Sequence, residues 1–138
     1  MSGDGDRERN LALLEEAIQA YNRGDLSFAV ARAGDDIEVF AHHELLNTGT
    51  YQGRQAFEAW MREWQEAWSE LTLDVRGVET IGDNHILVDV LQHGVGAGSG
   101  APVDMDLFQV IEVREGEIKR FHLYPNRETA LAALESWG

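Results

Sequence analysis

The chain has 138 residues, 43% of them hydrophobic and 26% charged, the balance of one soluble domain. Cysteine is absent, which excludes disulfides, thiolate metal sites and thiol catalysis. With 11 Lys and Arg against 25 Asp and Glu, the formal charge is −14, so the chain repels phosphate backbones and neither nucleic acid nor an anionic membrane is expected as a partner.

No apolar run approaches the ~20 residues of a membrane span, and Met1-Ser2-Gly3-Asp4-Gly5-Asp6 lacks the apolar stretch of a secretory signal. A cytoplasmic location is the expectation. Residues 1–6, small and acidic, read as a frayed terminus, leaving 7–138 as a single domain. From Arg7 to Arg23, Leu11, Leu14, Ile18 and Tyr21 recur on one helical face. Gly24 suits the end of that helix, and Asp25 suits the cap of a short second one carrying Leu26, Ala29, Val30 and Ala33, which Gly34 ends. Asp36 to His42 alternates as a strand, and Leu45 to Gln52 reads as a loop. Gly53 to Trp68 is the clearest helix, with Phe57, Trp60, Met61, Trp64 and Trp68 at helical spacing.

The remainder is mostly strand: Leu71 to Thr80, His85 to about Val95, Val103 to Val113 and Ile118 to Tyr124, with turn chemistry at Gly82-Asp83-Asn84 and Arg114-Glu115-Gly116-Glu117. Asn126 suits the cap of a last helix bearing Ala130, Leu131 and Leu134. Consecutive strands joined by tight turns, with helices grouped ahead of them, predict an α+β fold: a curved antiparallel sheet with the N-terminal helices packed on its concave face.

Each of two consecutive strands divides into an apolar side holding one Gln and a mixed side holding carboxylates. In Val103 to Val113 the apolar side is Val103, Met105, Leu107, Gln109, Ile111 and Val113, against Asp104, Asp106, Phe108, Val110 and Glu112. In the preceding strand, Ile86, Val88, Val90 and Gln92 oppose Leu87, Asp89, Leu91, His93 and Val95. The hairpin register decides whether like sides coincide. His42-His43 with Glu44 is no metal site, because adjacent strand residues point to opposite faces. The glycines of Gly94 to Gly100 lack the Lys and helix of a phosphate loop and suit a bend instead.

Tyr21-Asn22-Arg23-Gly24-Asp25-Leu26, Tyr51-Gln52-Gly53-Arg54-Gln55-Ala56, Gly98-Ser99-Gly100, Glu115-Gly116-Glu117-Ile118 and Tyr124-Pro125-Asn126-Arg127 occur in this order with suitable gaps. Together they resemble the SnoaL-like branch of the nuclear transport factor 2-like superfamily, relatives of ketosteroid isomerase and polyketide cyclase, over about residues 7–135. The resemblance implies a conical α+β barrel around a mostly apolar pocket, frequent homodimers through the outer sheet face, and no cofactor or metal. It implies a cofactor-independent isomerase, cyclase or dehydratase acting on a small hydrophobic molecule, although many members have no known activity.

Asp106-Leu107-Phe108 resembles the place where ketosteroid isomerases carry a pocket aspartic acid. On that likeness Asp106 is the candidate acid, with desolvation expected to raise its pKa, and His93 is its proposed acid–base partner ahead of His42 and His122. Tyr21, Tyr51, Trp60, Trp64, Phe108 and Phe121 are the candidate substrate-binding residues. The alternative for Asp104 and Asp106 is a solvated outer face. Two other ketosteroid isomerase positions align with Ala41 and Ala17, which removes its base and its oxyanion tyrosine. Two further readings stand beside the enzyme: a noncatalytic carrier or sensor of a hydrophobic metabolite, and a protein-interaction module using the sheet face.

Overall fold

In the computed structural model, residues 3–42 and 49–136 are described, with side chains from Arg7 onward. The elements run α1 (Gly3–Asn22), α2 (Ser27–Arg32), β1 (Ala33–Ala41), β2 (Gly49–Gln52), α3 (Arg54–Glu66), β3 (Trp68–Ile81), β4 (His85–Gly96), β5 (Pro102–Arg114), β6 (Glu117–Tyr124) and α4 (Arg127–Ser136).

Local chemistry accounts for the turns. Gly24, at φ +83°, closes α1 in a Schellman arrangement, with Gly24 N–H donating to the Tyr21 carbonyl and Asp25 N–H to the Ala20 carbonyl, both at 2.9 Å. Asp25 Oδ1 then accepts from the Ser27 hydroxyl at 2.5 Å and from the Ser27 backbone N–H at 3.0 Å at the start of α2, and these bonds hold its carboxyl below the usual range. Glu115 and Gly116, at φ +53° and +78°, form the primed turn that a two-residue hairpin needs. Thr129 N–H donates to Asn126 Oδ1 at 2.9 Å, so Asn126 caps α4 as expected.

The six strands form one curved, unclosed sheet in the order β2-β1-β6-β5-β4-β3. All neighbouring pairs are antiparallel except β1 and β6, which run parallel. The inner face meets α1, α2 and α3 around Leu14, Ile18, Ile37, Val39, Phe57, Trp60, Met61, Trp64, Val88, Val90, Leu107 and Ile111. The outer face carries a smaller cluster of Leu87, Val110, Tyr124 and Ala130, over which α4 lies. β3 has a bulge at Arg76: Val75 pairs with Val90 and Gly77 with Asp89, leaving Arg76 as the extra residue. A second irregularity falls at Ser69, between Trp68 opposite Gly96 and Glu70 opposite Val95.

Several boundaries differ from expectation. α1 begins at Gly3, inside the stretch expected to fray. Ala33 and Gly34 belong to β1 rather than to the end of α2. Gly49–Gln52, expected as loop, is an edge strand on β1; 43–48, with His43, Glu44 and Leu45, lie outside the described residues. Trp68 starts β3 instead of ending α3, because the helix stops at Glu66 and Ala67 closes it. The sheet is mixed, and α4 sits on the face opposite the other helices.

Candidate functional site

A cavity of about 60 Å³ lies between the inner face and the helices. That is several times the ~10–15 Å³ one water needs and less than half of the ~150 Å³ that holds a benzene. α1 contributes Leu13, Leu14, Ala17, Ile18 and Tyr21; α3 contributes Phe57, Trp60, Met61 and Trp64; the sheet contributes Leu73, Gln92, Leu107, Gln109, Ile111, Phe121 and Leu123, among others. The motif around Tyr21 builds one end. Tyr21 lines the hollow, while the Asn22 carboxamide accepts from Leu73 N–H at 2.8 Å and donates to the Leu73 carbonyl at 3.1 Å, fastening the end of α1 to β3. Leu13 and Val113 also wall a polar cleft lined by Arg9, Asn10, Asn84 and Arg114, so those two side chains stand between the cavity and water.

Aromatic rings form one wall. Trp60 and Trp64 lie 5.5 Å apart between centroids, Trp60 meets Phe121 edge-on at 5.8 Å, and Phe57 meets Phe121 at 5.7 Å. Such pairs add ~0.5–1.5 kcal/mol beyond their burial and hold the rings in place. Among the described lining residues Tyr21 is the only titratable side chain, and burial pushes its phenol well above the usual value, so it stays protonated.

Two carboxamides break the apolar surface. The register sets Gln92 opposite Met105 and Gln109 opposite Val88, so the Gln-bearing sides of β4 and β5 coincide on the inner face. Gln92 is fully buried, and its Oε1 accepts from Trp64 Nε1 at 2.7 Å. Its Nε2, and Oε1 of Gln109, are buried without a partner. A buried polar atom left unpaired costs ~1–3 kcal/mol, which makes both of them more than wall material.

The same register carries Asp106 and His93 to the outer face. Leu91 faces Asp106 and His93 faces Asp104. The Asp106 side chain is 62% exposed and pairs with Arg76, whose Nη2 also reaches Asp89, at 2.9 and 2.6 Å respectively. His93 Nδ1 lies 2.9 Å from Asp104 Oδ1, also exposed. The expected Asp106–His93 couple inside the pocket is therefore not formed: the two side chains bond to other partners on the wet side of the sheet. Phe108 lies on that face as well, packed with the cluster under α4, and does not line the cavity. Tyr51, on edge strand β2, packs against the inner core beyond the cavity wall. Tyr21, Trp60, Trp64 and Phe121 do line it.

His122 and His42 also lie on the outer side. His122 Nε2 is 2.7 Å from Glu38 Oε2 and its Nδ1 is 3.0 Å from the Tyr124 hydroxyl. Burial holds the His122 imidazole below its usual value against the opposing pull of Glu38, and burial raises the Tyr124 phenol to about 12. His42 sits 6.3 Å from the Tyr124 ring. Among the described residues, no group of three or more His, Asp or Glu side chains is arranged to hold a metal ion, and no helix is long and apolar enough to cross a membrane.

An open mixed sheet bent over three helices, with a small hollow between, is the architecture of the nuclear transport factor 2-like proteins. The chain belongs to the SnoaL-like domain family, which it matches over residues 14–121. A nuclear transport factor 2-like protein of unknown function from Burkholderia pseudomallei K96243 is 17% identical and superposes with a TM-score of 0.76 over 90% of this chain and 95% of that one. A putative SnoaL-like polyketide cyclase from Jannaschia sp. CCS1 is 14% identical, with a TM-score of 0.76 over 92% of each chain. A protein with a ketosteroid isomerase-like fold from Catenulispora acidiphila DSM 44928, in complex with trimethylamine, is 16% identical, with a TM-score of 0.69 over 87% of this chain and 89% of that one. No curated protein matches the sequence.

Proposed function

We propose that this domain binds one small, largely apolar organic molecule between its helices and inner sheet face, and that it does so as a carrier or sensor rather than by carboxylate or imidazole catalysis. The observation that carries this reading is the composition of the cavity wall: apolar side chains, two carboxamides and one phenol held neutral. A general acid or base must come within ~2.6–3.2 Å of the proton it moves. Asp106 and His93, with the sheet between them and the hollow, have no such reach. The Catenulispora relative's complex with trimethylamine, a molecule of few heavy atoms, is in keeping with a small occupant.

The test is native mass spectrometry of the purified protein, followed by titration with molecules of about four heavy atoms, such as acetone and isobutene, that suit a hollow of this size. A co-purifying or titrating molecule, with a change in Trp60 and Trp64 emission, is the expected result. No response of mass, emission or melting temperature to any of them removes the reading.

A second reading, an enzyme of the isomerase, cyclase or dehydratase type, draws on the polyketide cyclase designation of similar structures. Tyr21 is then the group that moves a proton, and Tyr21→Phe abolishes turnover while leaving ligand affinity within about threefold. The pairing of two chains through the outer sheet face belongs to the same proposal. Light scattering after size exclusion is expected to give twice the chain mass, and a clean monomer at micromolar concentration contradicts it.

A further inference from the structure

The polar cleft on the solvent side of Leu13 and Val113 encloses about 750 Å³, within the ~300–1,000 Å³ of small-molecule sites. Arg9, Asn10 and Leu13 of α1 form one wall, Asn84 of the β3–β4 turn a second, and Val113, Arg114, Glu115 and Gly116 a third. These walls are fastened to one another. Buried Asn10 donates from Nδ2 to the Asp83 carbonyl at 3.1 Å, and Arg7 pairs with the Asp83 carboxylate at 3.4 Å, which ties α1 to the turn. Val113 N–H donates to the Asn84 carbonyl at 2.8 Å, which ties the turn to β5.

The Asn84 side chain then aims a guanidinium. Its amino end donates to the Val113 carbonyl at 3.1 Å and its oxygen accepts from Arg114 Nη1 at 3.1 Å, since the reverse orientation would set oxygen against oxygen. Glu112 accepts from Arg114 Nε. Of the five N–H groups in the fork two are so used, and the other three have no acceptor among the described residues. Glu112 is shared with Arg120, whose Nε lies 3.4 Å from its Oε1, so this carboxylate does not spend its whole charge on Arg114. Glu115, next along the turn, lines the same cleft and forms no ion pair among the described residues.

Cation, anion and apolar side chains thus stand around one hollow. A chain of net charge −14 disfavours a free anion, whereas a zwitterion adds no net charge. We propose that this cleft binds a free α-amino acid with an apolar side chain, its carboxylate on the Arg114 fork, its ammonium on Glu115 and its side chain against Leu13 and Val113. The proposal stands apart from the cavity reading. Leucine is larger than the benzene that needs ~150 Å³, so the 60 Å³ hollow does not take it.

The experiment titrates three probes into the ¹⁵N-labelled full chain: L-leucine, 4-methylpentanoate, which lacks the amine, and 3-methylbutylamine, which lacks the carboxylate. Leucine is expected to move the Asn84 side-chain NH2 and Gly116 amide signals and to leave the Gln92 side-chain NH2 in place. Each of the other two probes is expected to bind about tenfold or more weakly, the weight of one charge-assisted hydrogen bond. Arg114→Gln is expected to lower leucine affinity by a similar factor. Should that variant not fold, Arg114→Lys keeps the charge, removes the fork and is expected to lose several-fold. Glu115→Gln, at an exposed turn, is expected to weaken leucine and to leave 4-methylpentanoate unchanged or tighter. If 4-methylpentanoate matches leucine in the wild type, the zwitterion assignment is overturned. If leucine moves no cleft signal at millimolar concentration, or binds the Arg114 and Glu115 variants as it binds the wild type, the site itself falls, and the cavity reading is untouched.

Discussion

The unpaired Gln109 oxygen makes a prediction about the empty protein. Gln109 is 5% exposed and its Oε1 has no donor. Gln109→Met keeps the length and approximate volume of the side chain while removing the polar atoms. Removing an unsatisfied buried acceptor recovers ~1–3 kcal/mol, and the exchange of shape gives back up to ~1.5 kcal/mol, so a net gain of about 1 kcal/mol is expected. At ~2.1 cal/mol/K of unfolding entropy per residue, a chain of 138 residues unfolds with roughly 0.29 kcal/mol/K, and the gain appears as a rise in Tm of ~3–4 °C. Calorimetry or circular dichroism on ligand-free protein reads it directly. The variant is expected to gain less from added ligand than the wild type does. A Tm lower by 2 °C or more would mean that the oxygen is already paired in solution, and the view of this amide as held in readiness for a ligand would be wrong.

Three other outcomes follow from the geometry. Asp106→Asn leaves probe affinity unchanged and costs under ~1 kcal/mol, since its pairing with Arg76 is exposed; a large loss of binding in a fluorescence titration would return Asp106 to the pocket. Gly94→Ala drives a methyl into the Trp68 ring and is expected to cost about 1–3 kcal/mol by urea denaturation, with a red shift of indole emission; an unchanged midpoint contradicts the close packing. His122 and His85 are both held below the usual imidazole value by burial, so the folded chain keeps them neutral where the unfolded chain, at ~6.5, takes up protons. Their contribution is full above that value and declines as the pH falls through it towards the folded values. The urea midpoint is therefore expected to fall from pH 7.5 to 5.5 by more in the wild type than in His122→Gln, and equal slopes would refute the assignment.

Local signals in the sequence were strong where an element is decided by its own residues. Gly24 and Asp25, Asn126, the Glu115-Gly116 turn and the stripe from Phe57 to Trp64 each act within one turn or one helix face. Contacts distant in sequence leave no such local mark. The parallel pairing of β1 with β6 joins residues some eighty positions apart, and Gly49–Gln52 is too short to alternate visibly. Trp68 follows Trp64 by one helical turn, yet the helix has already ended. Likeness to ketosteroid isomerase points Asp106 inward, whereas alternation puts it beside Asp104 and Glu112 on the mixed side of its strand, where the structure has it. The carboxamides were missed for the opposite reason. A single Gln in the apolar side of each of two successive strands is visible in the sequence, but an uncharged amide among apolar residues carries no signal of its own, and only the hairpin register brings Gln92 and Gln109 to one wall.

The bulge at Arg76 also governs how these molecules behave in a crowd. β3 is the rim of the sheet, and its 14 residues would otherwise offer a long row of free backbone donors and acceptors to a passing chain. Breaks at Ser69 and Arg76 cut that row into pieces with mismatched spacing, and Glu70 and Asp74 line the stretch between them with like charge. A neighbour arriving edge to edge finds few bonds in step and meets repulsion at each, so stacking into fibres is discouraged along the strand most open to it.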